Sequence, residues 1–145
     1  MNTLNSNVNI ILSKITQLSK QHKFLWLQGS SDSEISYLLK SAYDQLKQNT
    51  KLNIYCENIE FVAMALLDKL RGNQANWRRI KESKVLFLKD SDYLCGKTTT
   101  QEELSILISE KIAVGEQVIL VTKCKPEDLP VLSEKLSNKY ELIKI

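Results

Sequence analysis

The run Val85-Leu86-Phe87-Leu88 contains no polar residue, and it constrains the fold more than any other stretch of the chain. A strand that keeps one face in water alternates apolar and polar side chains. A strand buried on both faces of a parallel sheet reads instead as a continuous apolar run. The run therefore suits a central strand, and parallel neighbours require crossover connections, usually helices. The rest of the chain supplies that alternation: residues 24–28, 51–56, 118–121 and 140–143 read as further strands. Apolar residues spaced by three and four predict helices between them, over 33–48, from Phe61 to near Gly72, over 74–81 with Trp77 on it, over 101–114 and over 129–137. Ahead of the first strand, Val8, Ile11, Leu12, Ile15 and Leu18 repeat at the same period. Residues 1–22 are thus predicted to carry an amphipathic helix, over 6–21, packed on a core formed by residues 23–145. The expected architecture is α/β, a three-layer domain of parallel sheet and flanking helices joined by right-handed crossovers.

The first strand, Phe24-Leu25-Trp26-Leu27, runs into Gln28-Gly29-Ser30-Ser31-Asp32-Ser33-Glu34-Ile35-Ser36 and then into a helical pattern. Strand, loop and helix in that order are the frame of a phosphate-binding P-loop, G-x-x-x-x-G-K-[ST]. In that frame backbone N–H groups cradle phosphates, the lysine reaches the β/γ oxygens and the hydroxyl ligates magnesium. Gly29 and Ser36 hold the first and last positions, but Glu34 stands at the second glycine and Ile35 at the lysine. The second position that matters is the end of the central strand, where active P-loop ATPases hold magnesium with a carboxylate. Here the strand ends Leu88-Lys89-Asp90, and a lysine repels the ion. A plain surface turn leading into a helix also accounts for Glu34 and Ile35 taken alone.

Composition narrows the remaining classes. At 145 residues the chain is long enough for one domain with its own core. A net charge of +3 neither demands nor excludes nucleic acid, because clustering rather than excess marks a duplex-binding surface. Cys56, Cys95 and Cys124 are odd in number and lack metal-ligand spacing, so reduced thiols are expected and no metal site. No stretch of about 18 apolar residues suggests a membrane span, and the polar start is unlike a signal peptide. A cytoplasmic protein without membrane contact is expected. His22 is the only histidine, and no Ser-His-Asp or Cys-His set can be assembled.

The stretch Lys89-Asp90-Ser91-Asp92-Tyr93-Leu94-Cys95-Gly96-Lys97-Thr98-Thr99-Thr100-Gln101-Glu102-Glu103-Leu104 resembles the D-D-I-Q-F-L-A-G-K-x-x-T-Q-E-E-F run of the AAA+ domain of the bacterial replication initiator DnaA and its shortened Hda-type relatives. Phe61-Val62 is similar to the start of that family's helix after the second strand. Residues 118–130 resemble its sensor strand and P-x-x-[IL]-P turn, and Leu136-Ser137-Asn138-Lys139-Tyr140-Glu141 its L-x-S-R-F-E run. The resemblance implies a P-loop NTPase-like AAA+ core, here with no lid domain expected.

What the resemblance implies for function depends on the departures. The sensor position held by Lys123 is acidic in the family, and Lys139 stands in the box that carries the arginine finger, without arginine's planar fork. With Glu34, Ile35 and Lys89 these changes predict a pseudo-ATPase, with no catalytic residues and no cofactor. The expected role is a non-hydrolysing module that binds a replication protein, whether initiator, helicase or loader. Lys135 and Lys139 are candidates for a subunit interface, since AAA+ subunits pack side by side, and self-association is one option for such a module. The alternative is single-stranded DNA binding. Positions matching Val62 and Lys97 contact single strands in DnaA-type domains, and Trp77-Arg78-Arg79 sets an aromatic beside two cations. Trp77 could equally be a buried anchor between solvated arginines.

Overall fold

The computed structural model describes residues 24–49 and 53–145, together with Asn9, Ile10 and Ser13. Five strands form one parallel sheet: β1 (Phe24–Gln28), β2 (Ile54–Asn58), β3 (Val85–Lys89), β4 (Gln117–Thr122) and β5 (Tyr140–Lys144). Their spatial order is β2-β3-β4-β1-β5. Each apolar run occupies an interior strand. Val85 through Leu88 are buried throughout, as are Phe24 through Leu27 and all of β4, whereas the edge strands β2 and β5 are only partly covered.

The crossovers explain how the helices divide. They are α1 (Asp32–Asn49), α2 (Ile59–Leu70), α3 (Ala75–Glu82), α4 (Thr98–Ala113) and α5 (Pro130–Lys135). The step from β1 to β2 crosses the sheet in one direction, and the steps from β2 to β3, β4 and β5 run in the other. With right-handed connections the first helix must lie on one face and the other four on the opposite face. The core follows this division. Leu38, Leu39, Ala42 and Leu46 of α1 pack with Leu25, Leu27, Phe87 and Val121 on one face. Residues of α2 through α5 pack with Phe24, Trp26, Leu86 and Leu120 on the other.

Element boundaries shift from the sequence expectation where polar residues carry the backbone. The second strand runs from Ile54 to Asn58, two residues past the expected end; Lys51 and Leu52 lie outside the described residues. Asn58 closes it because its side chain turns to cap α2, accepting the Glu60 N–H at 2.8 Å. α4 starts at Thr98 rather than Gln101, since its first turn is polar and leaves no apolar period to read. The expected helix over 129–137 is shorter, Pro130–Lys135, entered through a 3-10 turn at Pro126–Asp128. The amphipathic helix expected over 6–21, and its packing on the core, lie outside the described residues apart from Asn9, Ile10 and Ser13, which are helical and exposed. Among the described residues no helix is long and apolar enough to cross a membrane.

Two buried polar side chains lock the second face. Gln101 is fully buried; its Nε2 donates to the Leu94 carbonyl at 2.8 Å, and its Oε1 accepts the Leu132 N–H at 3.2 Å. It thereby joins the turn after β3, the start of α4 and α5. Lys111 is 3% exposed, and its Nζ donates to the Lys81 and Ser83 carbonyls at 3.0 and 2.6 Å and to Glu116 at 3.1 Å. Burial lowers its pKa, and the Glu116 carboxylate works against that shift.

Candidate functional site

The residues that follow β1, β3 and β4 meet at the carboxyl edge of the sheet, where α/β folds place their binding sites. A cleft of about 580 Å³ opens there, bounded by α1, by Ile54, Tyr55 and Cys56 of β2, by Lys89 and Asp90 at the end of β3, and by Val121, Thr122 and Lys123 at and just after the end of β4.

The segment after β1 is more helix than loop. Gly29 continues the ladder, donating its N–H to the Thr122 carbonyl at 3.0 Å. A Cβ at Gly29 would lie 3.2 Å from Ile35 Cγ1 and 3.4 Å from Ile145 Cβ, so the glycine makes room for two aliphatic side chains. Ser31 then acts as the N-cap: its Oγ accepts the Glu34 N–H at 3.3 Å and its carbonyl accepts the Ile35 N–H at 3.0 Å. Ser31-Asp32-Ser33-Glu34 has the S-x-x-E spacing of a capping box, and α1 begins at Asp32, inside the eight-residue frame. Two amides of the frame, those of Glu34 and Ile35, are thereby engaged by Ser31. Ser30, Asp32, Ser33, Glu34 and Ser36 are exposed, and Ile35 is half-buried against the α1 side of the core.

Three aspartates at this edge turn to partners. Asp32 Oδ1 lies 2.7 Å from Lys123 Nζ, an exposed pair bridging the start of α1 to the end of β4, and the hydrogen bond to Asp32 raises the lysine's pKa. Such a surface bridge contributes little stability, but it sets Lys123 against the helix start. Asp90 adopts a left-handed conformation, φ 57°, and its carboxylate accepts from Asn58 Nδ2 at 2.6 Å, tying the end of β3 to the cap of α2. Asp92 accepts the backbone N–H groups of Lys123, at 3.0 Å, and Cys124, at 2.8 Å. Burial acts to raise the Asp92 pKa, but these donors outweigh it and hold the carboxyl below its usual range. Lys89 is exposed at the strand end. The cleft lining carries three lysines (Lys40, Lys89, Lys123) against four aspartates (Asp32, Asp44, Asp90, Asp92), so it is not a cationic pocket. Among the described residues no group of three or more His, Cys, Asp or Glu side chains is placed to hold a metal.

The candidate DNA contacts separate. Val62 and Trp77 are buried in the core beneath the start of α4, at 4% and 7% exposure, so neither offers its side chain for base stacking. Trp77 is a packing anchor covered by Lys69, whose Nζ lies 5.1 Å from the ring centroid. Arg78 and Arg79 are exposed, Arg79 over the Tyr55 ring at 5.6 Å. Tyr93 and Lys97 are also exposed, with Lys97 Nζ 4.4 Å from the Tyr93 ring centroid. Sequence reading passed over Tyr93 because a single tyrosine in a turn carries no periodic signal. Lys135 and Lys139 are exposed before β5. In a parallel sheet that is the amino edge, opposite the cleft, so these lysines face away from the chain's own candidate site.

Strand order, the P-loop-like connection after β1 and the helix distribution define an AAA+-type P-loop α/β domain. The chain belongs to the family described as the Bacterial DnaA ATPase domain, whose model matches residues 2–143. It is 25% identical over 134 residues to the chromosomal replication initiator protein DnaA of Aquifex aeolicus, an alignment covering 91% of this chain and 33% of that protein. Domain III of the Thermotoga maritima replication initiation protein DnaA superposes with a TM-score of 0.81 at 21% identity, covering 97% of this chain and 62% of that one. A replication initiator DnaA solved with AMPPCP and single-stranded DNA gives 0.74 at 20% identity, covering 99% of this chain and 46% of that one. The chain spans about a third or less of the curated relatives it first matches.

Proposed function

We propose that this chain is a DnaA-like AAA+ module that does not hydrolyse ATP and acts by binding a protein partner in the initiation of DNA replication or in its regulation. The observation that carries this reading is the conversion of the phosphate loop into a helix cap. Ser31 takes the Glu34 and Ile35 amides, and Ile35 and Ile145 close over Gly29. The remaining chemistry points the same way: a lysine stands where magnesium needs a carboxylate, and Asp32, Asp90 and Asp92 are committed to Lys123, Asn58 and backbone amides. This donor set does not fit a nucleoside triphosphate with its metal.

A domain that keeps the AAA+ shape keeps the surfaces on which such subunits pack. Lys135 and Lys139, on the edge away from the cleft, would reach a neighbouring copy or a related subunit. Single-stranded DNA binding remains the second reading, favoured by the exposed Tyr93–Lys97 pair and weakened by the burial of Val62 and Trp77.

Binding assays with the purified chain separate the two. Saturable micromolar binding to an initiator, helicase or loader subunit, weakened in a Lys135→Ala, Lys139→Ala variant, is the expected result. Binding to single-stranded oligonucleotide that weakens steeply with salt and is lost in a Tyr93→Ala, Lys97→Ala variant, with no protein partner bound, would replace it with the DNA reading.

A further inference from the structure

Helix α2 buries one face and leaves the opposite face apolar in water. Ile59, Val62, Ala65 and Leu66 are buried in the core, while Met64, Leu67 and Leu70 are each more than half exposed. On α1 and α4 the exposed large apolar residues stand singly, Tyr37 and Ile106, which is ordinary for a protein surface. A helix that is apolar all round is normally covered all round. The stripe through Met64 and Leu67 ends in opposite charges, Glu60 in the first turn of α2 and Arg71 at its carboxyl cap. Both are exposed, and among the described residues neither has an ion-pair partner.

Glu60, Met64, Leu67 and Arg71 are separated by four, three and four residues, so they share one stripe of the helix. That spacing reads the same in either direction about the midpoint between Ala65 and Leu66. A second α2 laid antiparallel on the first therefore sets Glu60 against the second copy's Arg71 and Met64 against the second copy's Leu67, and each contact occurs twice. We propose that α2 is the contact of a two-fold homodimer, in which a second copy of this chain covers the face of Met64, Leu67 and Leu70. Self-complementarity of this kind is what a two-fold interface requires. The charges select the antiparallel arrangement, because a parallel one would set Glu60 against Glu60 and Arg71 against Arg71. The surface is separate from Lys135 and Lys139 and does not depend on the state of the phosphate loop. A two-fold contact closes at two copies, whereas head-to-tail packing continues into rings or filaments.

Sedimentation equilibrium of the full chain should show reversible dimerisation with a dissociation constant of roughly 10–100 µM, since one short helix from each copy makes an interface at the small end of the range. Leu67→Glu places a charge at the apolar centre and should weaken the dimer by about tenfold or more, with the fold intact by circular dichroism. Glu60→Arg and Arg71→Glu each set like charges opposite one another and should weaken self-association by roughly fivefold. Mixed in equal amounts, these two variants regain opposite charges at both contacts and should dimerise about as tightly as the unaltered chain. Each substitution also opposes the helix dipole, but mixing cannot repair a weakened helix, so recovery in the mixture reports the contact between copies. A chain that stays monomeric at about 500 µM, with its own residues 1–22 or a different molecule on this face, would overturn the proposal. A dimer indifferent to Leu67→Glu, or a mixture no tighter than its single variants, would overturn it equally.

Discussion

Gln101→Ala is expected to lower stability by about 2–4 kcal/mol, because it leaves the Leu94 carbonyl and the Leu132 N–H buried without partners as well as opening a cavity. Urea unfolding should show a lower midpoint with an unchanged slope, the mark of a stability change rather than an altered unfolded state. Gln101→Leu decides between the two causes. Leucine refills the volume but bonds neither backbone group. If the orphaned amide and carbonyl dominate, most of the loss persists in the leucine variant; if the void dominates, leucine recovers it. The first outcome is expected, since three segments meet at this side chain. The Thr100-Gln101-Glu102-Glu103 signature, which identifies the family in the sequence, would then owe its glutamine to holding the fold together.

Lys111→Ala should cost a comparable 2–4 kcal/mol through a different route. The ammonium is buried with two carbonyls and Glu116 around it, and truncation leaves these acceptors facing an apolar gap. Glu116 keeps a second partner, Lys84 at 3.1 Å, which places the estimate below the full loss of a buried pair. Lys111→Met retains the aliphatic stem and removes only the charge and its donors. A loss in the methionine variant within about 1 kcal/mol of that in alanine assigns the cost to the hydrogen bonds; a near-neutral methionine variant assigns it to packing. Equilibrium unfolding of both variants makes the distinction.

Neither role was legible in the sequence, and the reason is physical. Strands β1, β3 and β4 are buried on both faces, so local composition alone declares them. Gln101 and Lys111 look like ordinary polar residues of an amphipathic helix until their partners, up to 31 residues away, are brought to them. The same holds at the candidate site. The defects at Glu34, Ile35 and Lys89 were visible residue by residue, but the Asp32–Lys123 bridge and the Asp92 cap join segments far apart in the chain. Ser31-Asp32-Ser33-Glu34 has capping-box spacing, a local signal for a helix start at Asp32 that overlaps the phosphate-loop frame and is masked by it. Trp77 and Val62 show the opposite difficulty, since an aromatic beside arginines reads alike whether it stacks on bases or, as here, fills a core.

The proposal that this AAA+ scaffold has exchanged its nucleotide grip for a helix cap is tested most directly by calorimetric titration of the chain with ATP and magnesium. The account predicts no saturable heat at millimolar nucleotide, with the fold intact by circular dichroism in the same sample. Saturable binding at micromolar concentration, with the nucleotide against Gly29 and Lys89, would contradict it.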